Sequence, residues 1–239
     1  SNMATYRKLT PQEIKNLEAQ LCSCKDWNLI EVANGFAVER VHNVSFSGNI
    51  KLGVFQKEFT SESGVVKKSG IYNAVIHNCS IADDVYIKNI SNQIANYTIE
   101  KSCFIENIDL LETTPGATFG HGVKVAVLDE TGSREVPIYD KLTSATAYLL
   151  CTYKHNATIT KAFHKLIEKE INQKQSDIGS IGENVIIRNS KSIVNVNIAA
   201  GSLIEGVTLL QNGTICSDAV TQTQIANGVI AKDFIIGKG

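Results

Sequence analysis

Between Ile181 and Ile204 the chain reads IGENVIIRNSKSIVNVNIAAGSLI, with aliphatic residues at Ile181, Ile187, Ile193, Ile198 and Ile204. Steps of six, six, five and six residues are too long for a strand whose side chains alternate every two residues. They do not fit a helical stripe of period 3.6 either. A spacing near six, with Gly and Asn between, fits a solenoid in which three short strands close one triangular coil. Each aliphatic residue then points inward from the centre of a face, and Gly or Asn takes the tight corners. Gly adopts left-handed backbone angles without penalty, and Asn tolerates them better than most residues.

The same rhythm predicts coils elsewhere. Val32, Val38, Val44 and Ile50 recur every six residues, then Val75, Ile81 and Ile87, then Ile94, Ile99 and Ile105. Polar Gln56–Gly70 interrupts them and is expected to protrude from a corner. No Gly occurs between Gly70 and Gly116, so Asn78, Asn89, Asn96 and Asn107 are the available corner residues. Ahead of the coils, Thr10-Pro11-Gln12-Glu13 is a helix start, with a capping hydroxyl, Pro at the first position and Glu three after the cap. Ile14, Leu17 and Leu21 share a face, which predicts a short helix to Cys22 that caps the first coil. From Thr114 to Gln175 the rhythm stops. Val123–Leu128 and Glu135–Tyr139 flank a turn and predict a β-hairpin; two helices, about 140–153 and 157–173, should follow as a helical hairpin. The rhythm returns at Ile178 and continues through Leu210, Ile215, Ile225, Ile230 and Ile236. The expected organisation is a capping helix with first coils over 3–113, an insertion over 114–175 and continuing coils over 176–239. Ser1 and Asn2 before Met3 look like a tag remnant. The chain stops mid-coil, as a piece of a longer protein would.

These segments resemble the left-handed parallel β-helix superfamily built from hexapeptide repeats. Within it, LTPQEIKNLEAQLC at Leu9–Cys22, VHNVSFSGNIKLG at Val41–Gly53 and VAVLDETGSREVPIYDKL at Val125–Leu142 look like an uncharacterised bacterial family of hexapeptide-repeat transferases. The fold expected is therefore mainly β, a left-handed parallel β-helix with an N-terminal capping helix and an inserted β-hairpin plus helical hairpin. The resemblance implies acyl transfer from an acyl-CoA or acyl-carrier-protein donor to a sugar or sugar-nucleotide acceptor. It also implies a homo-oligomer, a trimer first, with sites between neighbouring β-helices. No tightly bound cofactor is implied.

Histidine is the general base of such acyltransferases. The segment from His77 to Ile87 is similar to their histidine-bearing coil, which makes His77 the first candidate, with Asp83 or Asp84 to orient it. His121, between Gly120 and Gly122 at the root of the insertion, is the second. Both have plainer readings, as an exposed face residue and as an incidental histidine in a Gly-rich hinge. His42, His77 and His121 lack the close spacing of a metal site, so no metal is expected. Lys67-Lys68 reads as a solvated pair, and no phosphate-binding glycine motif is present.

Composition narrows the partners. A net charge of −1 gives no bulk attraction to nucleic acid or an anionic membrane. No apolar run approaches the ~20 residues of a membrane span. Six scattered cysteines without paired spacing read as buried thiols of a cytoplasmic protein. The alternative to an enzyme is a non-catalytic β-helix scaffold or binding module acting through the insertion.

Overall fold

The structure is a computed structural model that describes residues 5–129, 132–138, 175–216 and 224–237, with isolated helical positions at Lys161, Lys165, Leu166 and Lys169. The expected helical hairpin lies mostly outside the described residues. What is described is mainly β. One 16-stranded mixed sheet contains nearly all strands, and two small antiparallel pairs stand apart from it.

Three ladders run through the large sheet, each adding strands in parallel. The first aligns Val41, Ile71, Ile87, Ile105, Ile187, Ile204 and Ile225. The second aligns Phe46, Ile76, Ile94, Leu111, Ile193, Leu210 and Ala231. The third aligns Val32, Leu52, Ile81, Ile99, Ile181, Ile198, Ile215 and Ile236. The chain visits all three before returning to the first, and a return takes 18 residues from Asn78 to Asn96 and 17 from Ser180 to Asn197. Ile105 pairs with Ile187 directly, so the strands on either side of the insertion are neighbours.

Burial follows the spacing. Ile181, Ile187, Ile193, Ile204 and Leu210 are fully buried, and Ile198 is 2% exposed. Two expected repeat residues lie off the ladders, Val38 in a 3-10 turn and Ile178, 37% exposed, and in two further places the rhythm is one residue out. Val75 faces outward while Ile76 is buried, and Ile230 is 63% exposed while Ala231 takes the aligned position beside Leu210. Apolar residues at adjacent positions make either phase plausible from sequence, and a one-residue slip exchanges the two faces of a strand.

Asparagines turn the chain between the ladders. Asn43, Asn73, Asn89, Asn107 and Asn189 all adopt left-handed angles between the first and second ladders. Each passes a side-chain amide hydrogen bond to the next, at 3.1, 3.1, 3.3 and 3.1 Å. Asn78 and Asn96, bonded at 2.9 Å, do the same at the next corner. These chains satisfy amide groups that a turn would otherwise leave to solvent. Gly179 serves a different need. A Cβ there would strike the Tyr97 ring and the Thr113 hydroxyl. Its absence lets Tyr97 lie wholly buried and donate 2.7 Å to the carbonyl of Val196.

The helix runs Pro11–Ala19 with the expected capping box. Thr10 accepts from the Glu13 amide at 3.1 Å, and Glu13 accepts from the Thr10 amide at 2.9 Å. It ends sooner than expected: Leu21 adopts a φ of 65° and is exposed. Gln20 then donates at 2.8 Å to the carbonyls of both Val38 and Val41 on the first coil. The strand Tyr6–Lys8 adds an antiparallel edge beside Val32. The hairpin expected in the insertion is present as Val123–Asp129 paired with Gly132–Ile138. No helix among the described residues is long and apolar enough to cross a membrane.

Candidate functional site

The candidate histidines lie apart. His77 is exposed on the second ladder, its Nδ1 2.8 Å from the hydroxyl of Ser47 on the preceding strand. Neither aspartate orients it. Asp83 accepts from the Val54 amide at 2.8 Å, and Asp84 from the amides of Gln56 and Lys57 at 2.9 and 3.0 Å. Both carboxylates instead fix the corner from which residues 56–69 leave. His42 is exposed on the first ladder, stacked at 6.0 Å on Tyr72, with Nε2 2.8 Å from the Glu39 carbonyl. His121 is 3% exposed and lies beside Thr214 on the third ladder. The chain packs closely there: Gly120 has a φ of 86° and donates 2.8 Å to Asn212 Oδ1. Among the described residues no group of three His, Cys, Asp or Glu is placed to hold a metal ion.

Burial pushes the Cys79 and Cys103 thiols up to about 12, which keeps them protonated and poorly nucleophilic at neutral pH. Cys22 and Cys24 are raised by the same cause.

Among the described residues, two concave sites lie where added segments meet the ladders. The larger, about 380 Å³, lies on the outer side of the third ladder. Lys8, Asn28, Leu29 and Glu31 form one rim, Ile178 another, and Lys51, Asn78, Ser80 and Thr98 are among its lining residues. Lys8 is held to the Asn28 carbonyl at 2.7 Å, and Lys51 sits 5.2 Å over the Tyr6 ring. Amides, hydroxyls and ammonium groups share this trough with apolar surface, including two exposed aliphatic side chains, Leu29 and Ile178.

The smaller site, about 190 Å³, lies under an antiparallel hairpin, Glu58–Thr60 with Val66–Lys68. This hairpin is the stretch expected to protrude, and it folds back over the first ladder. Its Phe59 meets Phe104 edge-on at 5.3 Å, and Phe104 stacks on Tyr86 at 4.6 Å. Lys67 reaches both oxygens of Glu106 at 2.9 Å, and Tyr86 donates to the same carboxylate at 2.8 Å. Burial first, then its hydrogen bond to the Glu106 carboxylate, raises the Tyr86 hydroxyl far above its ordinary range. Far from being a solvated basic pair, Lys67 is half of an ion pair that fastens the hairpin down.

Residues 6–239 match the family described as Domain of unknown function (DUF4954). The chain belongs to that family. It is also similar to a Treponema pallidum (strain Nichols) protein described as uncharacterized, 24% identical over 245 residues. That alignment covers 98% of this chain and 34% of the relative, so the chain spans about a third of the curated relative's length. No solved structure matches.

Membership in DUF4954 overturns the resemblance to hexapeptide-repeat transferases. The physical reason is that a step near six residues reports only short strands aligned in parallel ladders. Any family that stacks strands this way shows it, so the step carries no catalytic identity. This DUF4954 chain also builds its corners from hydrogen-bonded asparagines where a Gly-rich repeat would have glycines. Sequence reading missed the groove under the hairpin altogether. A usable signal was there: Tyr86 and Phe104 each stand immediately before an inward isoleucine, Ile87 and Ile105, and so face outward side by side.

Proposed function

We propose that the three ladders wind as a left-handed parallel β-helix and that this chain works as a rigid binding module. Left-handed residues between the ladders and parallel pairing along each ladder support the winding. The observation that carries the binding reading is the 380 Å³ trough on the third ladder. Its volume is within the range of small-molecule sites. Its lining pairs hydroxyls and amides (Ser80, Thr98, Asn78) with Lys51 and two exposed aliphatic edges, which suits a polyhydroxylated, sugar-type ligand. Saturation-transfer NMR against neutral and acidic mono- and disaccharides tests it. Binding should weaken roughly tenfold in Thr98→Val or Lys51→Ala, the loss of about one hydrogen bond. A panel without any binder, or variants that bind as well as the parent, would end this reading.

The contact between Ser47 and His77 favours a second reading, acyl transfer from a CoA or carrier-bound thioester. If Nδ1 donates its proton to Ser47, Nε2 is left as an acceptor facing solvent, the tautomer a general base needs. Thioester chemistry requires shelter from water, which an open face lacks; a second copy of the chain against His77 would supply it. Light scattering for a trimer, and CoA titration against melting temperature, separate this reading from the first. At one hundred times its dissociation constant, CoA would add about 2.7 kcal/mol of stability.

A further inference from the structure

We propose that the groove under the hairpin 58–68 is a site for a small monocarboxylate with a flat or branched apolar body. Its apolar surfaces are Phe59 on the hairpin and Phe104 and Ile186 on the first ladder. Lys67, Glu106 and Arg188 supply its charges. Glu106 is already saturated, with Lys67 on both oxygens and Tyr86 on one, so that pair is neutral and fixed. The group with an unused donor is Arg188. One of its terminal nitrogens, Nη2, meets Glu205 at 3.0 Å, and 41% of the side chain is exposed. Its Nε is shielded from solvent and has no acceptor among the described residues.

A guanidinium presents its N–H groups in a planar fork that matches two carboxylate oxygens. A carboxylate entering along Ile186 would give Nε the acceptor it lacks, while its apolar body covers the exposed parts of Phe59 and Phe104. About 190 Å³ is the share of roughly six water molecules, enough for a ring or a short branched chain and too little for a sugar nucleotide. Phosphate has the charge but no apolar body to use the floor. The site is separate from the trough on the third ladder and does not depend on it.

Phenylacetate is the probe. Titration into the ¹⁵N-labelled protein should shift the Arg188 Nε–H resonance saturably, together with amides of Phe59, Phe104 and Ile186. Arg188→Lys keeps the charge and a partner for Glu205 but removes the fork; it should bind about 10–100-fold more weakly, the range for a charged hydrogen bond. Phenylacetamide and inorganic phosphate should give no saturable shift. The proposal is overturned by an unmoved Nε–H resonance, by equal binding of phenylacetamide, by phosphate binding as tightly as phenylacetate, or by an unchanged affinity in a folded Arg188→Lys protein.

Discussion

The strands at the middle of the three ladders and those at their last described end share one spacing and are built differently. In the middle, Ile105, Ile187 and Ile193 are fully buried, each with an aligned neighbour on both sides. Their corners are the bonded asparagines 89, 107 and 189. At the last rung Ala231 replaces the large inward residue, and Ile230 is 63% exposed. The corner column there passes through Gly206 and Asn227, which exchange no side-chain amides because Gly206 has none. An isoleucine on the six-residue beat therefore contributes by being covered from both sides, and the beat alone does not secure that.

The largest expected effect sharpens that contrast. Ile187→Ala or Ile193→Ala should lower stability by about 2–5 kcal/mol in urea unfolding, the range for truncating a large buried aliphatic. Ile230→Ala should change it by less than about 0.5 kcal/mol. Equal losses at the two places would break the comparison.

Next comes alkaline pH. Cys79 and Cys103 sit in the middle coils with thiols raised by burial to about 12, against an ordinary value of 9.0. Above the ordinary value the unfolded chain releases these protons and the folded chain keeps them. The contribution is thus whole below about pH 9 and lost as pH rises towards about 12. Denaturation midpoints measured across that window should fall, and should fall less in a Cys79→Ala, Cys103→Ala double variant.

A smaller effect separates the two parts of an asparagine corner. Asn107→Ala loses both amide bonds and forces alanine into a left-handed conformation, at roughly 1–2 kcal/mol. Asn107→Gly loses the bonds but suits the backbone, and should cost less by chemical denaturation. If the two variants are equally unstable, the amide chain alone carries the corner. Smallest is the helix cap, where Thr10→Ala should cost about 1 kcal/mol.

How much could be read beforehand varied by place. The inward positions 181–210 were legible because only one phase puts an aliphatic residue at every rung. The phase at Val75 and Ile76 was not, since both residues are apolar and only the pairing of Ile76 with Ile94 decides. Leu21 followed the helical stripe, yet backbone reversal after Gln20 turned it out to solvent. For the sites, sequence singled out His77 and expected 56–70 to protrude as a loop, where the structure has a hairpin folded back over the first ladder. It could not show that Asp83 and Asp84 serve the hairpin root, or that Arg188 stands beside Phe104 and Glu106. That neighbourhood depends on Ile105 pairing with Ile187 across the whole insertion.

That last pairing has a kinetic consequence. Elsewhere paired strands are separated by between 16 residues (Asn73 to Asn89) and 30 (Asn43 to Asn73), short enough for local zippering. Joining Phe104–Glu112 to Ile186–Ile198 instead closes a long stretch of chain. Two blocks should zip independently, and their docking should set the slowest folding phase. Loop-closure entropy grows only logarithmically, by about 0.6 kcal/mol per doubling of length. The segment between them can therefore lengthen or shorten with small effect on that step, so this junction is where the chain accepts new sequence most readily.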